Sequence, residues 1–249
     1  MHWDSNYSGV LLYRETVDVS GAVGRLTIIH DERYLRAVYF AGREEQLNAH
    51  LTRWYSGCRL QDYAEPALRK ERSARIQIVD QSALVNSALA KLSSGDMGSE
   101  SIWSRKIKAY LVALRQMNLD RCAVDKPSPK KSRLEDVSQA WQELGELPID
   151  PRGTDHQRRV WAGLSQIELG KTTSYKGLAD AIDNPRACRA VGTANGANPI
   201  SIVVPCHRVI AANGGLGGYG GGLVRKSWLL SAECMQHLLM DYSKPKGSD

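Results

Sequence analysis

The chain has 249 residues, 42% hydrophobic and 24% charged, which is enough to bury a real core in one large domain or two smaller ones; we read two. No window approaches the roughly eighteen unbroken apolar residues of a membrane span, and residues 1–13 lack the basic-then-apolar order of a secretory signal, so a soluble cytoplasmic protein (nuclear in a eukaryote) is expected. Thirty-three Lys and Arg against 27 Asp and Glu leave a net charge of +6, compatible with a polyanionic partner but not proof of one.

Residues 9–13, 22–29 and 35–40 are short runs rich in Val, Ile, Leu and Tyr, with a turn signal at His30-Asp31-Glu32, and they predict a small antiparallel sheet. Leu47, Leu51 and Trp54 then recur at helical spacing, so a helix over 44–55 should cover one face of it. From 81 to 146 helical periodicity (Ile102, Ile107, Leu111, Leu114) alternates with the polar stretch 125–133, read as a linker; Lys130, Lys131 and Arg133, like Lys106 and Lys108, could extend the footprint on a polyanionic partner or be solvated, and we favour the solvated linker. Thr154 can cap a helix with Val160, Trp161, Leu164 and Ile167 on its apolar face. Helices over 174–182 and 187–197 flank an Asp183-Asn184-Pro185 break, the layout of a helix-turn-helix and equally of an ordinary helical hairpin. A last helix is predicted over 224–240, with Trp228, Leu229 and Ala232 facing inward.

The expected fold is therefore α+β: a small N-terminal antiparallel sheet with a helix (1–80), an extended helical and linker segment (81–150), a mainly helical domain with the helix pair (151–240) and a tail (241–249). Five cysteines, Cys58, Cys122, Cys188, Cys206 and Cys234, include no Cys-x-x-Cys pair, so free thiols and no metal site are expected. One of them sits in Pro205-Cys206-His207-Arg208-Val209, beside an imidazole and a guanidinium at the end of an apolar run. A free thiol has a pKa of about 8.5 and needs an adjacent base or positive field to become a nucleophile. A buried structural cysteine beside a surface histidine is the plainer alternative.

That motif resembles the active-site signature of O6-alkylguanine-DNA alkyltransferases, the methylated-DNA–protein-cysteine methyltransferases. The resemblance extends upstream through Ser174-Tyr175, Leu178-Ala179, Arg189-Ala190-Val191-Gly192, Ala194-Asn195 and Asn198-Pro199. Downstream it includes the glycine-rich stretch 214–222 with Tyr219, then Lys226, Leu229-Leu230 and Glu233. It covers residues 153–233 with the spacing between motifs kept. It implies suicide repair of O6-alkylguanine, with O4-alkylthymine as a further substrate, by irreversible transfer of the alkyl group from a flipped base to Cys206.

In that reading Cys206 is nucleophile and acceptor, His207 the base acting through a water, Glu233 the group that orients the imidazole, and Tyr175 the donor to the leaving guanine. Asn198 would tie the cysteine turn to the second helix. Arg189 would be the finger that fills the gap left by the base, and Ala190 and Gly192 would allow close approach to the minor groove. Tyr219 would wall the pocket and Lys226 would contact DNA. No cofactor is implied, and the partner is duplex DNA met by a monomer. His156 departs from the usual Phe before Gln157. The alternative from another class is a non-catalytic sensor of alkylated DNA, whose representatives lack the cysteine that this chain has.

Overall fold

The computed structural model describes residues 10–19, 21–63, 100–122 and 131–233. Strand β1 (Leu11–Asp18) runs further than the apolar run suggests, because Glu15 and Val17 continue its alternation and are buried. It pairs antiparallel with β2 (Arg25–His30), and β2 pairs antiparallel with β3 (Leu35–Phe40). The turn between β2 and β3 is set by Asp31, whose Oδ1 accepts from the amides of Arg33 at 2.7 Å and Tyr34 at 2.8 Å, the side-chain chemistry that makes Asp a turn former.

The sheet differs from the sequence expectation in one respect: it is mixed. After α1 (Glu44–Trp54) the chain adds β4 (Arg59–Asp62) parallel to β1, so that the strand order is β3-β2-β1-β4. All four β4 residues are exposed, so the strand carries no alternation by which sequence reading could find it.

Both faces of the sheet are covered. Leu12, Ile29 and Ala37 pack with Leu47 of α1 and Tyr55, and the opposite face, with Val17, Leu26, Ile28, Val38 and Phe40, joins the main core. That core continues through α2 (Ile102–Cys122), α3 (Lys131–Gly145) and α4 (Asp155–Ser165) to Cys206 itself. Helices α2 and α3 therefore correct part of the linker reading. Lys131, Ser132 and Arg133 open a helix, Arg133 pairs with Asp136, and Lys106 donates to the Glu143 carbonyl at 3.0 Å and pairs with Glu146. Residues 125–130 lie outside the described residues. Ile102, read as part of the apolar face, is 48% exposed; Trp103, Ile107, Tyr110, Leu111 and Leu114 form the buried face.

Two polar clusters lock these parts together. The buried Glu15 carboxylate accepts from the Ser104 hydroxyl, from the Ser101 amide at 3.3 Å and from His30 Nε2 at 3.2 Å, which fastens α2 to the sheet. Arg36 of β3 pairs with Asp31 and Asp150, and so ties the sheet to the strand-like entry of the C-terminal part, where the Leu35 amide also donates to the Pro148 carbonyl at 2.9 Å.

Thr154 caps α4 as its spacing predicts, in a reciprocal capping box with Gln157. Helix α5 (Tyr175–Ala181) is capped by Ser174, whose hydroxyl accepts from the Gly177 amide at 2.9 Å. Helix α6 (Cys188–Gly196) follows, and both α5 and α6 pack on α4. A single 3₁₀ turn (Cys206–Arg208) leads into β6 (Val209–Ile210), which pairs parallel with β5 (Thr173–Ser174). Helix α7 (Leu223–Glu233) closes the described chain; residues 234–240, in which the predicted helix would continue, lie outside the described residues. None of the helices among the described residues is long and apolar enough to cross a membrane.

Candidate functional site

The turn before the cysteine is stiff and strained. Ile202 is fully buried at φ 76°, a left-handed conformation that β-branched residues rarely adopt and that costs about 1–3 kcal/mol. It is held by surrounding bonds: the Val204 amide to the Ile200 carbonyl at 3.0 Å, the Asn198 side-chain amide to the Val204 carbonyl at 2.8 Å, and the Ile200 amide to Asn198 Oδ1 at 3.0 Å. Asn198 thus staples both ends of the turn to the segment that follows α6. The Val38 amide donates to the Pro199 carbonyl at 2.8 Å, so the N-terminal sheet backs this turn.

The turn delivers Cys206 and His207 side by side in the interior, the thiol 5% exposed and the imidazole fully buried. Burial pushes the Cys206 thiol up, opposed by a hydrogen bond from the Asn198 side chain and by the Lys226 ammonium. Glu233, at the end of α7, meets His207 Nε2 with Oε1 and Arg208 Nε with Oε2, each at 2.8 Å. Burial alone would raise the Glu233 carboxyl, yet these two partners hold it well below the usual carboxylate range. The imidazole is pulled the other way: burial lowers His207, and Arg208 and Lys226 add to that, against the raising effect of Glu233. Both partners cannot carry the shared proton. Burial is the largest influence on the imidazole and disfavours its charged form, while the Arg208 guanidinium favours an ionised Glu233, so we take His207 as neutral.

The tautomer then follows from geometry. An ionised carboxylate only accepts, so Nε2 carries the proton and donates to Glu233. Nδ1 is left with its lone pair, and it has no hydrogen-bond partner among the described residues. The arrangement is a buried thiol next to a neutral imidazole whose free nitrogen can take a proton.

Arg208 is itself fully buried: Nη1 donates to the Ile167 carbonyl at 2.7 Å, and its guanidinium carbon lies 3.9 Å from the Trp141 ring centroid. Tyr110 of α2 also reaches the site, its hydroxyl donating to Glu233 Oε1 at 2.5 Å. Sequence reasoning missed Tyr110. The available signal was its place on the Ile107, Leu111, Leu114 face, but that face says only that Tyr110 is buried and not what it meets.

Tyr175 is half-buried at the first position of α5, its phenol raised by burial and lying against the glycine-rich stretch. A Cβ on Gly217, which has φ +65°, would come within 3.1 Å of the Tyr175 hydroxyl, so the close approach of that stretch requires glycine twice over. Gly192 lies beside the same ring from the α6 side. Tyr219 faces inward, 5.9 Å from Phe40 and 6.3 Å from His207 between ring centroids, and its hydroxyl is buried.

Lys226 is not on the surface where a DNA contact would need it. It is fully buried, and Nζ donates to the carbonyls of Val209 at 2.6 Å and Gly218 at 3.3 Å. Burial pushes it down to about 8, with the neighbouring Cys206 acting in the opposite direction. Its place is a strut between α7 and the glycine-rich stretch, with a positive field at the thiol. Arg189 and Ala190 are exposed, and with Thr193 and Gly196 they make one open face of α6, otherwise lined by small residues. A hollow of about 270 Å³ lies beyond the far end of that helix, lined by Arg43, His50, Arg53, Trp54 and Gly196 among others; it does not reach Cys206 or Tyr175. No group of three or more metal-ligating side chains occurs among the described residues.

Residues 155–235 match the family described as 6-O-methylguanine DNA methyltransferase, DNA binding domain. Methylated-DNA–protein-cysteine methyltransferases of Mycolicibacterium paratuberculosis and Shigella flexneri are 58% identical over 88 residues and 55% identical over 87, each match taking in 35% of this chain and 53% and 51% of the relative. The chain thus spans about half the length of these curated relatives. The crystal structure of Mycobacterium tuberculosis OGT in complex with DNA is similar with a TM-score of 0.51 at 27% identity, over 90% of this chain and 93% of that one.

Proposed function

We propose that this chain, whose residues 155–235 match the 6-O-methylguanine DNA methyltransferase DNA-binding domain, repairs alkylated DNA by moving an alkyl group from guanine O6 onto its own Cys206. The observation that carries this reading is the free Nδ1 of a neutral His207 beside the buried thiol, with Glu233 fixing the tautomer from the other side.

The thiol proton passes, through a water, to Nδ1 of His207. The sulfur then attacks the saturated carbon in line, the C–O6 bond breaks, and its electron pair goes to the guanine, whose charge is relieved by a proton or hydrogen bond from Tyr175. Lys226 contributes a positive field that favours the thiolate. Alkylated guanine inside a duplex cannot reach a thiol that is 5% exposed, so the nucleotide must be flipped out, at a cost of a few kcal/mol. The open face of α6 suits a minor groove, where small residues permit close approach, and Arg189 is the side chain on that face long enough to occupy the vacated stack. The partner is duplex DNA, met by a monomer.

The thioether on Cys206 is a poor leaving group. Each molecule should act once. Mixed with excess O6-methylguanine duplex, the protein should give a burst equal to its own active concentration, with one methyl added to the peptide containing Cys206 by mass spectrometry. Cys206→Ala should bind the alkylated duplex and transfer nothing. Repeated turnover without added thiol would overturn the reading.

A further inference from the structure

Glu233 takes hydrogen bonds from three side chains, and one of them comes from outside residues 155–235. Tyr110 sits in the middle of α2, fully buried, and its hydroxyl shares Oε1 with His207 Nε2 while Arg208 holds Oε2. The Tyr110 ring lies 5.4 Å from Trp141 of α3, the same residue whose face carries the Arg208 guanidinium. The α2–α3 pair is thus built around the carboxylate end of the site.

We propose that Tyr110 is a positioning residue for alkyl transfer: its hydrogen bond to Oε1 fixes Glu233 against His207 and draws off part of the carboxylate charge, so that the imidazole remains a neutral base. This rests on the reading of His207 as the base for Cys206.

The charged and titratable groups facing His207 make Glu233 decisive. From its own turn come Cys206 and Arg208, from α7 Lys226 and Glu233, and from the glycine-rich stretch Tyr219, with Tyr110 of α2 behind Glu233. Burial, Arg208 and Lys226 all disfavour imidazolium; Glu233 is the group that favours it. A second donor on Oε1 weakens that pull without removing it, because one oxygen's charge is then divided between two protons. Burial and the neighbouring carboxylate hold the Tyr110 phenol well above its ordinary range, so it remains a donor at every working pH.

The test is the rate of methyl transfer from an O6-methylguanine duplex as a function of pH, in the full chain and in Tyr110→Phe. Freed of the competing donor, Glu233 should make His207 more basic. The acidic limb of the profile should move up by about one pH unit, which slows transfer near the limb about tenfold, and the rate should recover at alkaline pH. Incorporation of 3-fluorotyrosine at position 110, a stronger donor with the same packing, should move the limb the other way, and it carries the test should Tyr110→Phe fold poorly. Nitrogen NMR of His207 should report the same two shifts without any turnover. An unmoved limb, or a loss of rate equal at all pH values, would mean that Tyr110 only packs. A native chain that transfers no methyl group sinks the parent reading instead, so the two failures are distinguishable.

Discussion

Removing the charge of Glu233 should destabilise the whole fold, because that carboxylate is the counter-charge to a fully buried guanidinium. In Glu233→Gln the shape is kept, but a neutral amide replaces the acceptor of three donors: Arg208 Nε and His207 Nε2 at 2.8 Å and the Tyr110 hydroxyl at 2.5 Å. The amide has one acceptor oxygen and an NH₂ that must point at another donor. Stripping one partner from a buried ion pair costs about 3–5 kcal/mol, a large share of the roughly 5–15 kcal/mol by which domains are stable. For a chain of this size that corresponds to a fall in Tm of about 6–20 °C.

Urea unfolding followed by tryptophan fluorescence at neutral pH measures the difference directly. The sign with pH is also determined. Glu233 is held well below the usual range in the folded state, so its contribution is complete above the unfolded carboxyl pKa of about 4.3 and is lost as pH falls toward the folded value. The gap between native and Glu233→Gln proteins should therefore narrow as the solution is acidified. Adding Arg208→Met to Glu233→Gln should recover part of the loss, since the stranded charge is then gone, although the bond to the Ile167 carbonyl and the stacking on Trp141 are lost with it. A cost below about 1 kcal/mol for Glu233→Gln, or double-mutant losses that simply add, would refute the argument from buried charge.

Arg189→Ala should slow repair of duplex DNA far more than reaction with free O6-alkylguanine base, because Arg189 is exposed on α6 whereas the thiol is buried; equal slowing on both substrates would remove the finger role. Gly217→Ala places a Cβ 3.1 Å from the Tyr175 hydroxyl at φ +65°, a backbone cost of about 1–3 kcal/mol. Transfer should fall about tenfold or more while DNA affinity is kept, and an unchanged rate in Gly217→Ala would show that the glycine-rich stretch does not hold Tyr175 for chemistry.

Most of the local architecture of residues 153–233 was legible in the sequence. Thr154 states a helix start, Val160, Trp161 and Leu164 state which face is buried, and the Asp183-Asn184-Pro185 break separates α5 from α6, all through interactions that span four residues or fewer. The motif around Cys206 likewise put thiol and imidazole together by adjacency in the chain. The N-terminal strands could be read where one face alternates, and β4 could not, because an exposed edge strand has no buried face to record in its composition.

What the chain order could not convey is which distant groups share one carboxylate. Tyr110 and Glu233 are 123 residues apart, and Arg208 reaches its carbonyl partner across 41. Lys226 shows the same limit from the other side. A lysine after a glycine-rich stretch reads as a surface charge, and only the packing of α7 against Val209 and Gly218 turns it inward, where its ammonium bonds carbonyls instead of meeting solvent. Periodicity and caps are properties of a short segment of chain. Burial and charge pairing are properties of whichever segments the core brings together, and in this protein the core brings α2, the cysteine turn and α7 to a single buried carboxylate.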